Sequence, residues 1–262
     1  MHLDLLFRGA ISQRDELREA MAAGVPIGVV AEKLATVDIL LGLPLYMDRG
    51  GFVLADSGNW ATRLGGEPLD YERILRVYDK LAGVTHRPSN LYVMAPASAG
   101  DQVATLALLR QYQDRLISLI KLGANVVVPM QRGCLSASDM LHAVQALLGT
   151  RYFVAGIPCS GAALSMEDYA SLEHDAFHLL GRVHEKGSLA LCLAALRLNN
   201  PAATMTANSD WRPSWQDKTA DEPAAERARV AEFPSNSDRS RTAEAMLAIR
   251  NYAAWTGMRA AA

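Results

Sequence analysis

The residues able to do chemistry in this sequence stand where short apolar runs stop at a polar group. The clearest case is Phe52-Val53-Leu54-Ala55-Asp56-Ser57-Gly58-Asn59-Trp60. Residues 52–55 read as a buried strand, and the strand ends in a carboxylate. Desolvation raises a carboxyl pKa, which makes Asp56 a candidate for proton transfer or nucleophilic attack. Asp-Ser-Gly is also common turn chemistry, in which Asp56 would only cap a turn built by Ser57 and Gly58. Later runs end in the same way. They supply Asp101 in 96–102, then Gln131-Arg132-Gly133, Gly156, Leu180-Gly181, and Asn208-Ser209-Asp210. Two acids, amides and glycines at one mouth suit a planar, hydrogen-bonding ligand that glycine backbone approaches closely. Each also has a plainer reading. Asp101 reads first as a helix N-cap, Gln131 as a second cap, and Gly156 and Gly181 as loop formers. His178 sits inside an apolar run and reads as a satisfied core histidine. No two of the six histidines lie at metal spacing with an acid, so neither a metal nor a cofactor is expected.

The elements that would position these residues alternate regularly. Strands are expected at 3–7, 25–30, 52–55, 91–95, 125–130, 152–156, 177–181 and 202–207. Helices are expected from Ser12 through Met21 and over 69–82, 103–122, 136–148, 166–176 and 187–198. Gly24, Gly83, Gly123 and Gly149 stand where helices should close. Residues 38–50 read as loop. Near-continuous apolar strands alternating with helices indicate a parallel sheet covered on both faces. Eight such units in this length match a (β/α)8 TIM barrel, α/β in class and a single domain. An open doubly wound sheet is the competitor, but no Gly-x-Gly-x-x-Gly follows an early strand. The barrel is expected over 1–210. A charged loop should cover 211–242, and a helix over 243–262, its pattern starting near 241, should pack on the barrel.

Bulk properties narrow the setting. The 262 residues are half apolar, with a net charge of −2 and a pI near 6.3. No global basic field exists to hold a polyanion, so any nucleic-acid contact must be local. Cys134, Cys159 and Cys192 are odd in number and far apart, which suits a reducing cytoplasm and not a disulfide framework. No signal peptide is read at Met1-His2-Leu3-Asp4, and apolar runs stop at about ten residues against about 20 for a spanning helix. A cytoplasmic chain without membrane contact is expected. Trp211, Trp215 and Trp255 are candidate interface residues for a homo- or hetero-oligomer.

The order Asp-Ser-Gly at 56–58, Val-Pro-Met-Gln-Arg-Gly at 128–133, Val-Ala-Gly-Ile at 154–157 and His-Leu-Leu-Gly at 178–181 resembles the tRNA-guanine transglycosylase superfamily, nearest its short zinc-free DNA and phage relatives. The resemblance implies a TIM-barrel glycosyltransferase that exchanges guanine for a 7-deazaguanine in tRNA or DNA. In it, an aspartate forms a glycosyl-enzyme and a second one handles the proton. Carried over, Asp56 is the Asp-Ser-Gly acid, flanked by Ser57 and Gly58. Gln131, Gly156, Leu180 and Gly181 would hold a purine or 7-deazaguanine base, with Asp101 the acid nearest to the guanine-reading position, where Ala97 stands. Asn208 occupies the place of the nucleophile, so Asp210 is expected to supply it. Two alternatives remain beside this reading: a catalytically silent base-binding barrel serving a partner subunit, and an unrelated TIM-barrel enzyme.

Overall fold

The structure, a computed structural model, describes residues 3–11, 13–58, 69–159, 164–180 and 186–209. The loop and helix expected over 211–262 lie outside these residues. Eight parallel strands close into a barrel in chain order. They are β1 (Leu5–Ile11), β2 (Ile27–Val30), β3 (Val53–Asp56), β4 (Leu91–Met94), β5 (Asn125–Pro129), β6 (Val154–Pro158), β7 (Ala176–Leu180) and β8 (Thr204–Ser209). The expected TIM barrel is what forms.

Helices cover the outside. Helix α1 (Arg14–Ala22) follows β1, and a π-helical turn (Asp38–Gly42) running into α2 (Leu43–Asp48) follows β2. Then come α3 (Tyr71–Val84), α4 (Gln102–Gln111), α5 (Gln113–Leu122), α6 (Ala137–Leu148), α7 (Met166–Ser171) and α8 (Lys186–Asn199). Side chains alternate across each strand, so each strand feeds two cores. Val53, Ala55, Val126, Val128, Phe177 and Leu179 face the helices. Phe7, Leu54, Tyr92, Met94, Val127 and Val154 fill the barrel itself. Both faces are dry, which explains why the strands read as unbroken apolar runs. Burying each such side chain contributes roughly 1.5–3 kcal/mol.

Several expected boundaries move, each for a local reason. The helix expected over 103–122 is two helices, broken at Tyr112, whose φ of −107° and ψ of 15° leave helical geometry. The break lets Tyr112 pack, 9% exposed, against Tyr71 at a ring separation of 6.1 Å. The helix expected over 166–176 stops at Ser171. Leu172 turns extended and fully buried, and Ala176 already belongs to β7. Helix α3 runs through Gly83 to Val84 instead of ending there. Residues 38–50, expected as loop, are largely helical because Leu43 and Met47 bury one stripe and Pro44 starts the turn. At Gly24, Gly123 and Gly149, φ is +66°, +98° and +64°, so these glycines do close their helices.

The barrel is sealed where β8 meets β1, with Leu5 opposite Thr206 and Phe7 opposite Asn208. Asp4 reinforces that seam. Its N–H donates to the Met205 carbonyl at 2.8 Å, and its Oδ2 accepts from Met205 N at 2.7 Å and pairs with Arg197 at 3.4 Å. On the other side of β1 the register shifts between Arg8 and Ala10, where Gly9 bulges toward β2 at a φ of +31°. The bulge brings Gly9 O so close to Gly28 that a Cβ there would lie 2.6 Å from it. The obstacle is backbone, which cannot swing aside. Gly28→Ala should therefore cost about 1–3 kcal/mol, measured by chemical denaturation.

Candidate functional site

Chemistry in a parallel barrel collects at the C-terminal ends of its strands. Asp56 is the last residue of β3, two positions past the interior Leu54, so it turns into the barrel at the mouth. Its Oδ1 accepts the Gly58 N–H at 2.9 Å, and Gly58 makes that turn with a φ of +82°. Burial raises the Asp56 pKa above the usual carboxylate range, and the Gly58 N–H only partly opposes the shift. Both readings of Asp-Ser-Gly thus coexist: the carboxylate caps its own turn through one oxygen and still sits in a desolvated place. Ser57 is 3% exposed.

A second polar group lies across the barrel, on β7 and β8. His178 is fully buried, with Ala176 and Leu180 of the same strand on the interior cluster and Phe7 at a ring distance of 5.9 Å. Its Nδ1 meets Thr206 Oγ1 at 2.7 Å, while Thr206 Oγ1 donates to the Phe177 carbonyl at 3.3 Å. Thr206 Oγ1 thus ties the imidazole of His178 to the backbone of its own strand. His178 Nε2 and Asn208 Oδ1 are buried without a hydrogen-bond partner among the described residues. Burial pushes the His178 pKa down to about 4, against the Asn208 amide, which favours the charged ring. His178 is neutral at physiological pH.

The remaining candidates are also located. Asp101 caps α4, accepting from Ala104 N at 2.9 Å, and is exposed. Gln131 Oε1 accepts from Gly100 N at 2.9 Å, and Gln131 O accepts from the buried Gln102 amide at 3.0 Å. These bonds join the loops after β4 and β5 at the mouth. Gly156 packs inside β6, where a Cβ would meet Leu180 Cδ1 at 3.1 Å and Val127 Cγ1 at 3.2 Å. Gly181 and Asp210 lie outside the described residues. Tyr71, at the start of α3, was not singled out by sequence. Its hydroxyl donates to the Ala97 carbonyl at 2.7 Å beside the mouth. Thr206 also escaped notice, although its alternation with Asn208 places both on one face. Among the described residues no three His, Cys, Asp or Glu side chains gather as a metal site. No described helix is long and apolar enough to cross a membrane.

Comparison with known proteins bears on the fold. No protein-family model matches the chain, and no curated protein matches it. Among solved structures, it is similar to a xylose isomerase-like TIM barrel/4-hydroxyphenylpyruvate dioxygenase fusion protein. That match has a TM-score of 0.50 at 10% identity and covers 88% of this chain and 42% of that one. It is also similar to an L-ribulose 3-epimerase, at a TM-score of 0.48 and 11% identity, over 97% of this chain and 98% of that chain. A D-psicose 3-epimerase gives 0.43 and 13%, over 92% of each. At such identities the likeness is one of fold.

The resemblance to the tRNA-guanine transglycosylase superfamily is overturned: no model of that or any other family matches the chain, and the barrel it matches at a TM-score of 0.50 is described as xylose isomerase-like. The transferase, glycosyltransferase, 7-deazaguanine and nucleic-acid-modification readings fall with it. Barrel packing accounts for much of the motif series. Gly156 leaves room for Leu180, and Gln131 ties two loops together.

The buried imidazole has a consequence for stability. In the unfolded chain His178 titrates near 6.5, and in the folded chain near 4. Above about pH 6.5 both states hold it neutral, and it costs nothing. As the pH falls from 6.5 through 4, the unfolded state takes up the proton first, and the fold loses on the order of 3 kcal/mol. His178→Gln should flatten this part of the stability profile, read by urea denaturation from pH 7.5 to 4.

Proposed function

We propose that this chain is a (β/α)8-barrel enzyme whose reaction is a proton transfer at the C-terminal mouth, with Asp56 as the acid–base group. One observation carries the reading: a carboxylate at the end of β3, inside the barrel, held among the described residues by the Gly58 N–H and raised in pKa by burial. A carboxyl near its working pH both gives and takes a proton, whereas an exposed aspartate is a poor donor. Gly58 N–H occupies Oδ1, which leaves Oδ2 to carry the transferable proton. The opposite wall supports this reading. Asn208 Oδ1 and His178 Nε2, both buried without a hydrogen-bond partner among the described residues, can orient hydroxyl groups of a small substrate while Asp56 works on its far side.

The substrate class we propose is a small polyhydroxylated carbonyl compound, and the step is proton removal and return beside the carbonyl. The xylose isomerase-like description of one barrel of this fold sets pentoses as the first compounds to try. Cys134, Cys159 and Cys192 are free thiols, which supports a reducing, cytoplasmic setting.

The test is deuterium wash-in. Each sugar is incubated with the protein in D2O, and exchange at carbon is followed by NMR. Asp56-dependent exchange into one sugar is the expected result, falling about 10²–10⁴-fold in Asp56→Asn. Exchange unaltered by that substitution would remove Asp56 from the chemistry. The same variant should be more stable at pH 7. The raised pKa means the folded state resists ionisation, a cost present above the unfolded carboxyl's pKa that an amide does not carry.

A further inference from the structure

Outside the barrel wall, α1 and the segment from the π-helical turn through α2 stand apart over β2, leaving a cleft of about 610 Å³. It runs from the start of α1, near the mouth, to Gly24 and Gly50 at the opposite end of the barrel. One flank is apolar and open: Val37, Leu41 and Leu45 line it and are 44%, 53% and 43% exposed. Met21 lines the facing flank, and the Tyr46 ring forms part of the floor, anchored by its hydroxyl to the Val25 carbonyl at 2.5 Å. A Cβ on Gly51 would come within 2.2–2.5 Å of Tyr46 ring atoms, so glycine there is what leaves room for the ring.

Charge in the cleft has one dominant sign. Arg14, Arg18 and Arg49 line it against a single carboxylate, Asp38. Asp38 is 8% exposed and already paired with Arg14 at 3.7 Å. Arg18 touches Asp15 at 3.6 Å, with side chains 60% and 93% exposed, an arrangement that contributes little. Val37, Leu41 and Leu45 share one cleft with the arginines and so form a patch, unlike singly exposed apolar residues, and π-helical turns often mark sites of use.

The geometry points to a binding site for a single-chain amphiphilic anion, a fatty carboxylate whose tail lies along Val37, Leu41 and Leu45 and whose head group meets Arg49 and Arg18. The cleft is concave and of a size that small-molecule sites have, which fits one acyl chain and not a bilayer surface. Apolar flank and cationic rim together select the ligand class. A neutral alcohol lacks the anchor for the arginines, and a short carboxylate lacks the tail. The site is separate from the mouth, and its existence does not depend on the reaction there.

Titration calorimetry with dodecanoate, kept below its micelle concentration, tests this. The expected result is saturable 1:1 binding with a Kd of roughly 1–100 μM, set by analogy with other apolar small-molecule sites. Arg18→Ala/Arg49→Ala should weaken it about tenfold, and Leu41→Asp should abolish it. Dodecan-1-ol and acetate should each bind at least about tenfold more weakly, since each lacks one half of the recognition. Leu41 and the arginines are exposed, so these variants keep the fold, which circular dichroism checks. Asp56→Asn should bind dodecanoate like the wild type. The proposal is overturned by absence of saturable binding, by uptake of several molecules per chain, or by affinity unchanged in Leu41→Asp.

Discussion

Everything in this structure depends on closing a ladder of parallel strands, because an open parallel edge would leave a row of backbone donors and acceptors unpaired. The pairing of β8 with β1 does this, and it joins residues about two hundred positions apart in the chain. Closure makes the interior a sealed apolar volume, and that volume gives polar groups at its top their unusual properties. Asp56 would be an ordinary surface acid on an open sheet. Within the closed barrel it is desolvated, and His178 is driven neutral by the same exclusion of water. The acid on β3 and the imidazole–amide group on β7 and β8 lie on opposite walls because three strands stand between β3 and β7 on either side of the eight-stranded ring.

The division of labour between the two ends of the barrel follows from the connections. At the mouth the loops are tied by side chains: Gln131 to Gly100, Gln102 to Leu135, Tyr71 to Ala97. At the other end, Asp48 accepts from Thr85 Oγ1 at 2.7 Å and from His86 N at 2.8 Å, which fastens α2 to the turn after α3. The Asp48 carboxyl is accordingly held below its ordinary pKa, with the Thr85 hydroxyl the leading cause. A carboxylate stabilised by donors serves structure. Asp56 is the opposite case, a carboxylate whose pKa burial lifts.

Much of the architecture was legible in the sequence because a buried parallel strand leaves a simple trace: four to six apolar residues bounded by glycine or a polar cap. The eight strands are all there, as is the cap at Asp101, which accepts from Ala104 N. What the pattern does not encode is where a helix must give way to tertiary packing. Tyr112 breaks a helix that local propensity would continue, and Leu172 leaves another to fill the core. At the site, Asp56 was visible as an acid ending an apolar run. The Thr206–His178 bond was not, since it joins residues 28 apart through a register known only once the barrel closes. Short motifs such as Val-Ala-Gly-Ile misled for a related reason: an interior glycine like Gly156 answers to the bulk of Leu180 across the barrel, a demand that many barrels share.

The seam between β1 and β8 also sets a clock during synthesis. The edge of β1 emerges first, and the strand that covers it, with the Met205 amide that meets Asp4, follows about two hundred residues later. At roughly 5–20 residues per second, that edge waits on the order of 10–40 s for its partner. The Gly9 bulge lies toward β2, so the waiting edge is regular over Leu5–Arg8 and would pair with any stray strand until β8 arrives.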